Sequence, residues 1–226
     1  MTGPGGGVAT RPVLILAFDT ATEYPTIALG NPHEPGADVR VEDRRALSRD
    51  IGTIVAGVLS ARGLEPAALT GVLVADGPGA FTGLRIGAAF AKGLCRALGV
   101  PLMAAPSLLG AAAAAAKAAG GATGLDVEVR YDALRGECYR AVYRVGRSGV
   151  EVVEAPGLAP AGGERPGAPG TLASERDASA AALLGLVGRA GGPVAVEDPG
   201  RWEPAYGRLA EAEARRLARE QSAEGR

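Results

Sequence analysis

Apolar residues in the first half of the chain fall into short continuous runs that alternate with helically spaced stretches. Val13 to Phe18 is a continuous apolar run of strand length, the pattern of a strand buried on both faces. It ends in Asp19-Thr20-Ala21-Thr22, and Thr26 to Leu29 predicts a second short strand. Asn31 to Gly36 has turn chemistry, and Asp38 to Glu42 suits a third strand. Ser48 is placed to cap a helix through Arg62, with Gly63 as its stop. Ile51, Ile54, Val55, Val58 and Leu59 share one face of that helix. Gly71 to Ala75 reads as a buried strand, Thr82 to Leu98 as a long helix closed by Gly99, Val100 to Ala104 as a strand, and Leu108 to Ala119 as an alanine-rich helix.

Beyond Gly120 the pattern loosens. Val127 to Tyr131 and Glu137 to Val145 predict two strands around Asp132-Ala133-Leu134-Arg135-Gly136. Pro156 to Gly170 is rich in Pro and Gly and reads as an extended surface loop. Ala178 to Ala190 suits a helix, Pro193 to Val196 a strand, and Glu203 to Glu220 a polar helix with a Glu211/Arg215 pair at i,i+4. Three strands before the first helix argue against a plain doubly wound sheet. A mixed sheet with helices packed on it fits better.

Composition narrows this picture. A chain of 226 residues with 47% hydrophobic and 22% charged residues has enough apolar surface for a full core. With 24 basic and 25 acidic residues the net charge is −1, so no chain-wide attraction to nucleic acid is present. Two cysteines, Cys95 and Cys138, make no disulfide framework, and a reducing cytoplasm suits them. No apolar run reaches the length of a membrane span, and Met1 to Arg11 reads as a flexible Gly-rich tail without a signal-peptide core.

The strongest local motif is Asp76-Gly77-Pro78-Gly79-Ala80-Phe81-Thr82-Gly83, between a strand and a helix. Gly77 and Gly79 suit close approach of a phosphate to backbone and helix N-terminus, and equally suit a tight turn with close helix–sheet packing. The spacing is neither that of a P-loop nor that of the dinucleotide fingerprint. Asp19 and Thr20, at the end of a buried strand, suit a hydrated metal or phosphate oxygens, or a turn in which Asp19 bonds its own backbone. His33, the single histidine, supports no two-histidine metal set and reads as a solvated loop residue. Cys138 has no histidine partner, and no serine sits in a nucleophile elbow.

On the helix from Thr82 to Leu98, apolar and small residues fill an arc of about 200°, wider than one sheet face needs. Gly83, Gly87 and Ala91 form a small-residue row, as do Gly52, Ala56 and Ser60 on the preceding helix. Either the two helices pack on each other and the rest of the chain, or a partner protein covers them.

Three stretches carry a family resemblance: LAFDTATEYPTIALG, VLVADGPGAFTGLRIGAAFAKGLCRALGVPL and YDALRGECYRAVY. In order from about Val13 to Val145 they resemble the bacterial TsaB (YeaZ) family, and Pro204 to Ala210 is similar as well. The stretch Gly77 to Gly87 is its most specific part. The resemblance implies an α/β fold of the ASKHA type (actin-like ATPase, hexokinase, Hsp70), with two lobes of mixed sheets, the second reduced. Residues 12–106 would form the first lobe and 107–226 the second, with the Pro/Gly-rich loop at 156–170.

The resemblance further implies a role in making N6-threonylcarbamoyladenosine in tRNA. The chain would be a non-catalytic scaffold that pairs with the paralogue TsaD and permits docking of the ATPase TsaE, meeting tRNA only within that complex. The catalytic paralogue carries metal-ligand histidines where this sequence has Ser107 and Ala111, so neither a metal, nor catalysis of the transfer, nor metallopeptidase activity is expected here. Pairing would use the first two helices, with Ile51, Val55, Leu59, Leu84, Phe90 and Leu94 as anchors, Arg85 as a rim charge and Gly87 allowing close helix approach. A homodimer through the same helices is a further expectation. Many relatives open the first helix with His-Ser, where Leu47-Ser48 stands here.

From another class, a small nucleotide-dependent kinase or ATPase of the same fold would use Asp19, Thr20, Gly77 and Gly79 around phosphate. No cofactor is expected on the scaffold reading, beyond weak or vestigial ATP binding at those four residues. Arg40, Arg44, Arg45 and Arg49, or Arg208, Arg215, Arg216 and Arg219, would be the places for direct tRNA contact. Such runs are commonly solvated faces, and no aromatic interleaves them for base stacking.

Overall fold

A computed structural model describes residues 12–121, 124–162 and 171–207. The tail at 1–11, the second half of the predicted Pro/Gly loop and most of the predicted last helix lie outside these.

The first sheet has six strands in the order β10-β5-β4-β1-β2-β3. Its members are β1 (Ile15–Asp19), β2 (Thr26–Gly30), β3 (Val39–Arg40), β4 (Gly71–Ala75), β5 (Leu102–Ala105) and β10 (Val194–Ala195). β1 pairs antiparallel with β2 and parallel with β4, so the sheet is mixed, as the three leading strands predicted. Its central strands are buried on both faces. On β1, Ile15 and Ala17 point into one core while Leu16 and Phe18 point into another, and β4 divides in the same way. That two-sided burial is why these strands read as unbroken apolar runs.

Two helices cover one face: α1 (Arg44–Ser60) and α2 (Phe81–Leu98). α1 starts upstream of the predicted Ser48 cap. Asp43 is the N-cap, accepting from the Arg45 N–H at 2.8 Å, and the Ser48 hydroxyl donates back to the Arg45 carbonyl. The discontinuity legible at Ser48 is a kink at Asp50, whose φ of −130° and ψ of 15° interrupt the helix. α2 ends as predicted, with Gly99 left-handed at φ 66°.

The other face carries α3 (Ser107–Ala118), α4 (Ala180–Leu184) and a second sheet in the order β8-β7-β6-β9. Its strands are β6 (Leu125–Asp132), β7 (Glu137–Val145), β8 (Val150–Pro160) and β9 (Thr171–Ser174). β8 overturns the first half of the predicted surface loop, since Gly157 to Pro160 pair with β7 from Arg140 to Glu137. β8 is an edge strand, where a proline costs no ladder donor. The predicted helix over Ala178–Ala190 shrinks to five residues: beyond Leu184 the chain continues in tight turns, with the Leu186 and Val187 N–H groups donating to the Leu183 and Leu184 carbonyls, and Gly188 is left-handed at φ 78°. Glu203 to Gly207 is likewise not helical.

α4 is locked to the first sheet by two acceptors: Thr26 Oγ1 takes the Ala180 N–H at 3.0 Å, and Asp38 takes the Ala181 N–H at 2.9 Å and the Ser179 hydroxyl at 2.6 Å. The chain then returns to the first sheet at β10 and runs across the end of β4 as a strap, residues 196–207. Among the described residues no helix is long and apolar enough to cross a membrane.

Candidate functional site: the strand ends and the outer helix face

β1 and β4 are parallel neighbours; β1 ends in Asp19, and Asp76 directly follows β4. Ligands of open α/β sheets collect at such carboxyl ends. Asp19 is fully buried; its Oδ1 accepts the Ala21 N–H at 2.8 Å, while Oδ2 is buried with no hydrogen-bond partner. Burial pushes the Asp19 carboxyl up to about 7, with the Asp38 charge adding to the rise and the Ala21 hydrogen bond opposing it. Burial also raises Asp76, to about 6. Tyr131 and Tyr143 complete the cluster. The Tyr131 hydroxyl donates to the Ser107 carbonyl at 3.1 Å, and the Tyr143 hydroxyl is buried without a partner. Desolvation drives both phenols upward, with Asp19 adding to Tyr131 and Asp76 to Tyr143. Asp76 opens the glycine motif but had no role in the sequence reading, and the two tyrosines were not singled out. An aspartate at the end of each of two apolar runs, Val13 to Phe18 and Gly71 to Ala75, was the available signal.

The glycine loop is closely packed by the chain itself. A Cβ on Gly79 would overlap the Ala21 carbonyl, on Gly83 the Thr20 carbonyl, on Gly87 the Thr20 hydroxyl, and on Gly77 the Ala205 carbonyl. Gly77 also has φ 112° and precedes a cis proline, Pro78. Carbonyl oxygens on that side repel a phosphate, so the close-packing reading of Gly77 and Gly79 is the one the geometry favours. The strap adds a lid. The Ala205 N–H donates to the Asp76 carbonyl at 2.7 Å, Tyr206 lies on Phe81 at 4.8 Å between ring centroids, and the Tyr139 hydroxyl donates to the Tyr206 carbonyl at 3.4 Å.

The two positions compared with metal-ligand histidines are structural. Ser107 is buried and its hydroxyl oxygen accepts the Gly77 N–H at 2.9 Å, and Ala111 is fully buried in the core. Among the described residues no three His, Cys, Asp or Glu side chains gather to hold a metal.

The predicted pairing residues divide. Val55, Leu59 and Leu84 are 4%, 1% and 1% exposed and pack inside this chain, so they are not contact anchors. Gly87 meets Thr20, not a second helix, which gives the small row of α2 an internal purpose. Ile51, Phe90 and Leu94 are half-buried, and Arg85 is exposed over the Phe81 ring at 5.5 Å. Around them Gly52, Ala56, Ala89 and Gly93 form an exposed surface of small side chains that the anchor set had missed.

A family model described as tRNA N6-adenosine threonylcarbamoyltransferase, TsaD, matches residues 42–176. The tRNA threonylcarbamoyladenosine biosynthesis protein TsaB of Escherichia coli K12 is 32% identical over 136 residues, 60% of this chain and 57% of that protein. The chain belongs to the TsaD family, in its TsaB (YeaZ) group. An uncharacterized protein of Mycobacterium tuberculosis H37Rv is 38% identical over 132 residues, 57% of this chain and 58% of that one. The match thus spans a little over half the length of these curated relatives. A crystal structure described as a protein with similarity to peptidase YEAZ from Pseudomonas aeruginosa has a TM-score of 0.71 at 25% identity, over 87% of this chain and all of that one. The TsaB membership and this overlay make the two mixed sheets an ASKHA-type fold.

Proposed function

We propose that this chain acts in tRNA threonylcarbamoyladenosine biosynthesis as a non-catalytic subunit, pairing with a TsaD-type protein and permitting a TsaE-type ATPase to dock. Family membership supports the pathway. The observation that carries the subunit reading is the exposed face of α1 and α2, where small residues at Gly52, Ala56, Ala89 and Gly93 surround half-buried Ile51, Phe90 and Leu94. A face so low in side-chain bulk lets a second helical pair approach closely. A homodimer of this chain through the same face is the natural free state of such a surface. The strand-end site supports the same reading: Ser107 and Ala111 serve packing, and the glycine loop faces carbonyls. The binding free energy of the pair would favour one conformation of the TsaD-type partner.

The test is reconstitution from threonylcarbamoyl-AMP and tRNA with TsaD and TsaE proteins of the same source. Modified adenosine should form only when this chain is present. Equal product without it overturns the reading. The buried, unpartnered Asp19 Oδ2 favours one alternative, a nucleotide-dependent enzyme using Asp19 and Thr20. Tight, magnesium-dependent ATP binding by the isolated chain would put that alternative first.

A further inference from the structure

A second concavity lies away from the strand ends. A cavity of about 360 Å³ opens where four separate stretches meet: the turn after β2, the end of α3, the β7–β8 turn, and α4 with the turn that follows it. Its floor is apolar, with Ala116, Val145, Ala181 and Leu186 all largely buried beneath it. Its mouth is basic. His33, Lys117, Arg147 and Arg189 come one from each stretch, and among the described residues no Asp or Glu lines it. In a chain whose charges balance to −1, this is a local excess of one sign. The side chains of Lys117 and Arg147 are exposed and carry no ion pair among the described residues, while Arg189 reaches the Arg147 carbonyl at 3.4 Å. The last carbonyls of α3 do not cancel the charge. Ala115, Ala116 and Lys117 accept from the N–H groups of Ala119, Gly121 and Gly120, so that helix end is already closed.

We propose that this cavity binds a small amphipathic anion, with its apolar body on the alanine floor and its carboxylate, sulfonate or phosphate among Lys117, Arg147 and His33. A pocket of this size with apolar walls and a few convergent polar groups is the ordinary form of a small-molecule site. Among the described residues no Phe, Tyr or Trp lines it, so these offer nothing for stacking successive bases of a nucleic acid. His33, which reads from sequence as a solvated loop residue, gains a role here. The inference does not rest on the tRNA reading, and neither falls with the other.

Two probes share one aryl body: 8-anilinonaphthalene-1-sulfonate and the neutral N-phenyl-1-naphthylamine. Both should bind the full chain saturably, as read by fluorescence titration at low salt. Reversing two mouth charges together, Lys117→Glu with Arg147→Glu, should weaken the sulfonate at least about tenfold and the neutral amine less than about twofold. Ala182→Phe, which fills the cavity from its α4 wall, should weaken both. Non-saturable binding, or sulfonate affinity unchanged by the charge reversal, overturns the proposal. So does equal loss of both probes on charge reversal, which would mark a nonspecific apolar surface. Circular dichroism checks each fold; should Ala182→Phe unfold, the reversal of the two exposed charges decides alone.

Discussion

Thr20 sits beneath the first turn of α2, where its hydroxyl donates to the Gly83 carbonyl at 2.8 Å and its own carbonyl lies against the Gly83 Cα. No side chain fits between them. Gly83→Ala is therefore expected to cost about 2–3 kcal/mol, measured by urea denaturation. A loss within error would mean that the helix start moves freely. Asp19 gives a pH signature. Its folded value of about 7 lies above the ordinary 3.8, so the folded state holds a proton that the unfolded chain has released. The stability carried by that proton is full below about pH 4 and is lost as the pH rises through about 7. Asp76 acts with the same sign, up to about 6. Asp19→Asn keeps an acceptor for the Ala21 N–H and removes the ionisation. Its melting temperature relative to the parent should rise between about pH 4 and pH 7 and level off above; a constant difference would refute the assignment. At this scale the sequence offered Asp19 and the glycines as candidates but could not choose between phosphate and packing. That choice depends on Ala205, more than 120 residues from Gly77 along the chain.

Elements whose burial is dictated by their own pattern were legible. β4 matches its apolar run, and α2 stops at the glycine that reads as its stop. Elements decided by distant partners were not. β8 forms across Pro156 and Pro160 because β7 offers it an edge, and α4 stays short although alanine and leucine favour a longer helix. The proposed pairing face illustrates the same limit, since an apolar arc on a helix does not say which part of it the chain's own sheet takes. Val55, Leu59 and Leu84 went to the core, and the outward remainder is smaller and flatter. Ala56→Arg with Ala89→Arg places two charges on that remainder. Stability should stay within about 0.5 kcal/mol, because both sites are exposed. Co-purification with a TsaD-type protein should fall at least about tenfold. Undiminished co-purification would move the proposed face elsewhere.

Across the whole molecule, the strap ties elements from both halves of the chain. Trp202 packs against the helical core and receives Lys92 at 5.6 Å, Lys92 also pairs with Glu203 at 3.2 Å, and Tyr206 bridges Phe81 of α2 and Tyr139 of the second sheet. Tyr206→Ala removes a ring contact worth about 1 kcal/mol and loosens the residues it covers. Native-state hydrogen exchange should quicken at the Ala205 and Gly77 amides while β1 and β4 keep their protection. Uniform quickening would mean that the strap is part of the global fold and not a separable clamp.

β10 completes the first sheet from far along the chain, since Val194 pairs with Ala104 about 90 residues after that strand is made. On a ribosome adding roughly 5–20 residues per second, β5 therefore waits several seconds with one edge unpaired. Leu102-Met103-Ala104-Ala105 carries no charge to discourage a second nascent chain from pairing there. The late strand thus gives this fold an interval of exposure during its own synthesis, and crowding of nascent chains in strong expression would be felt first at that edge.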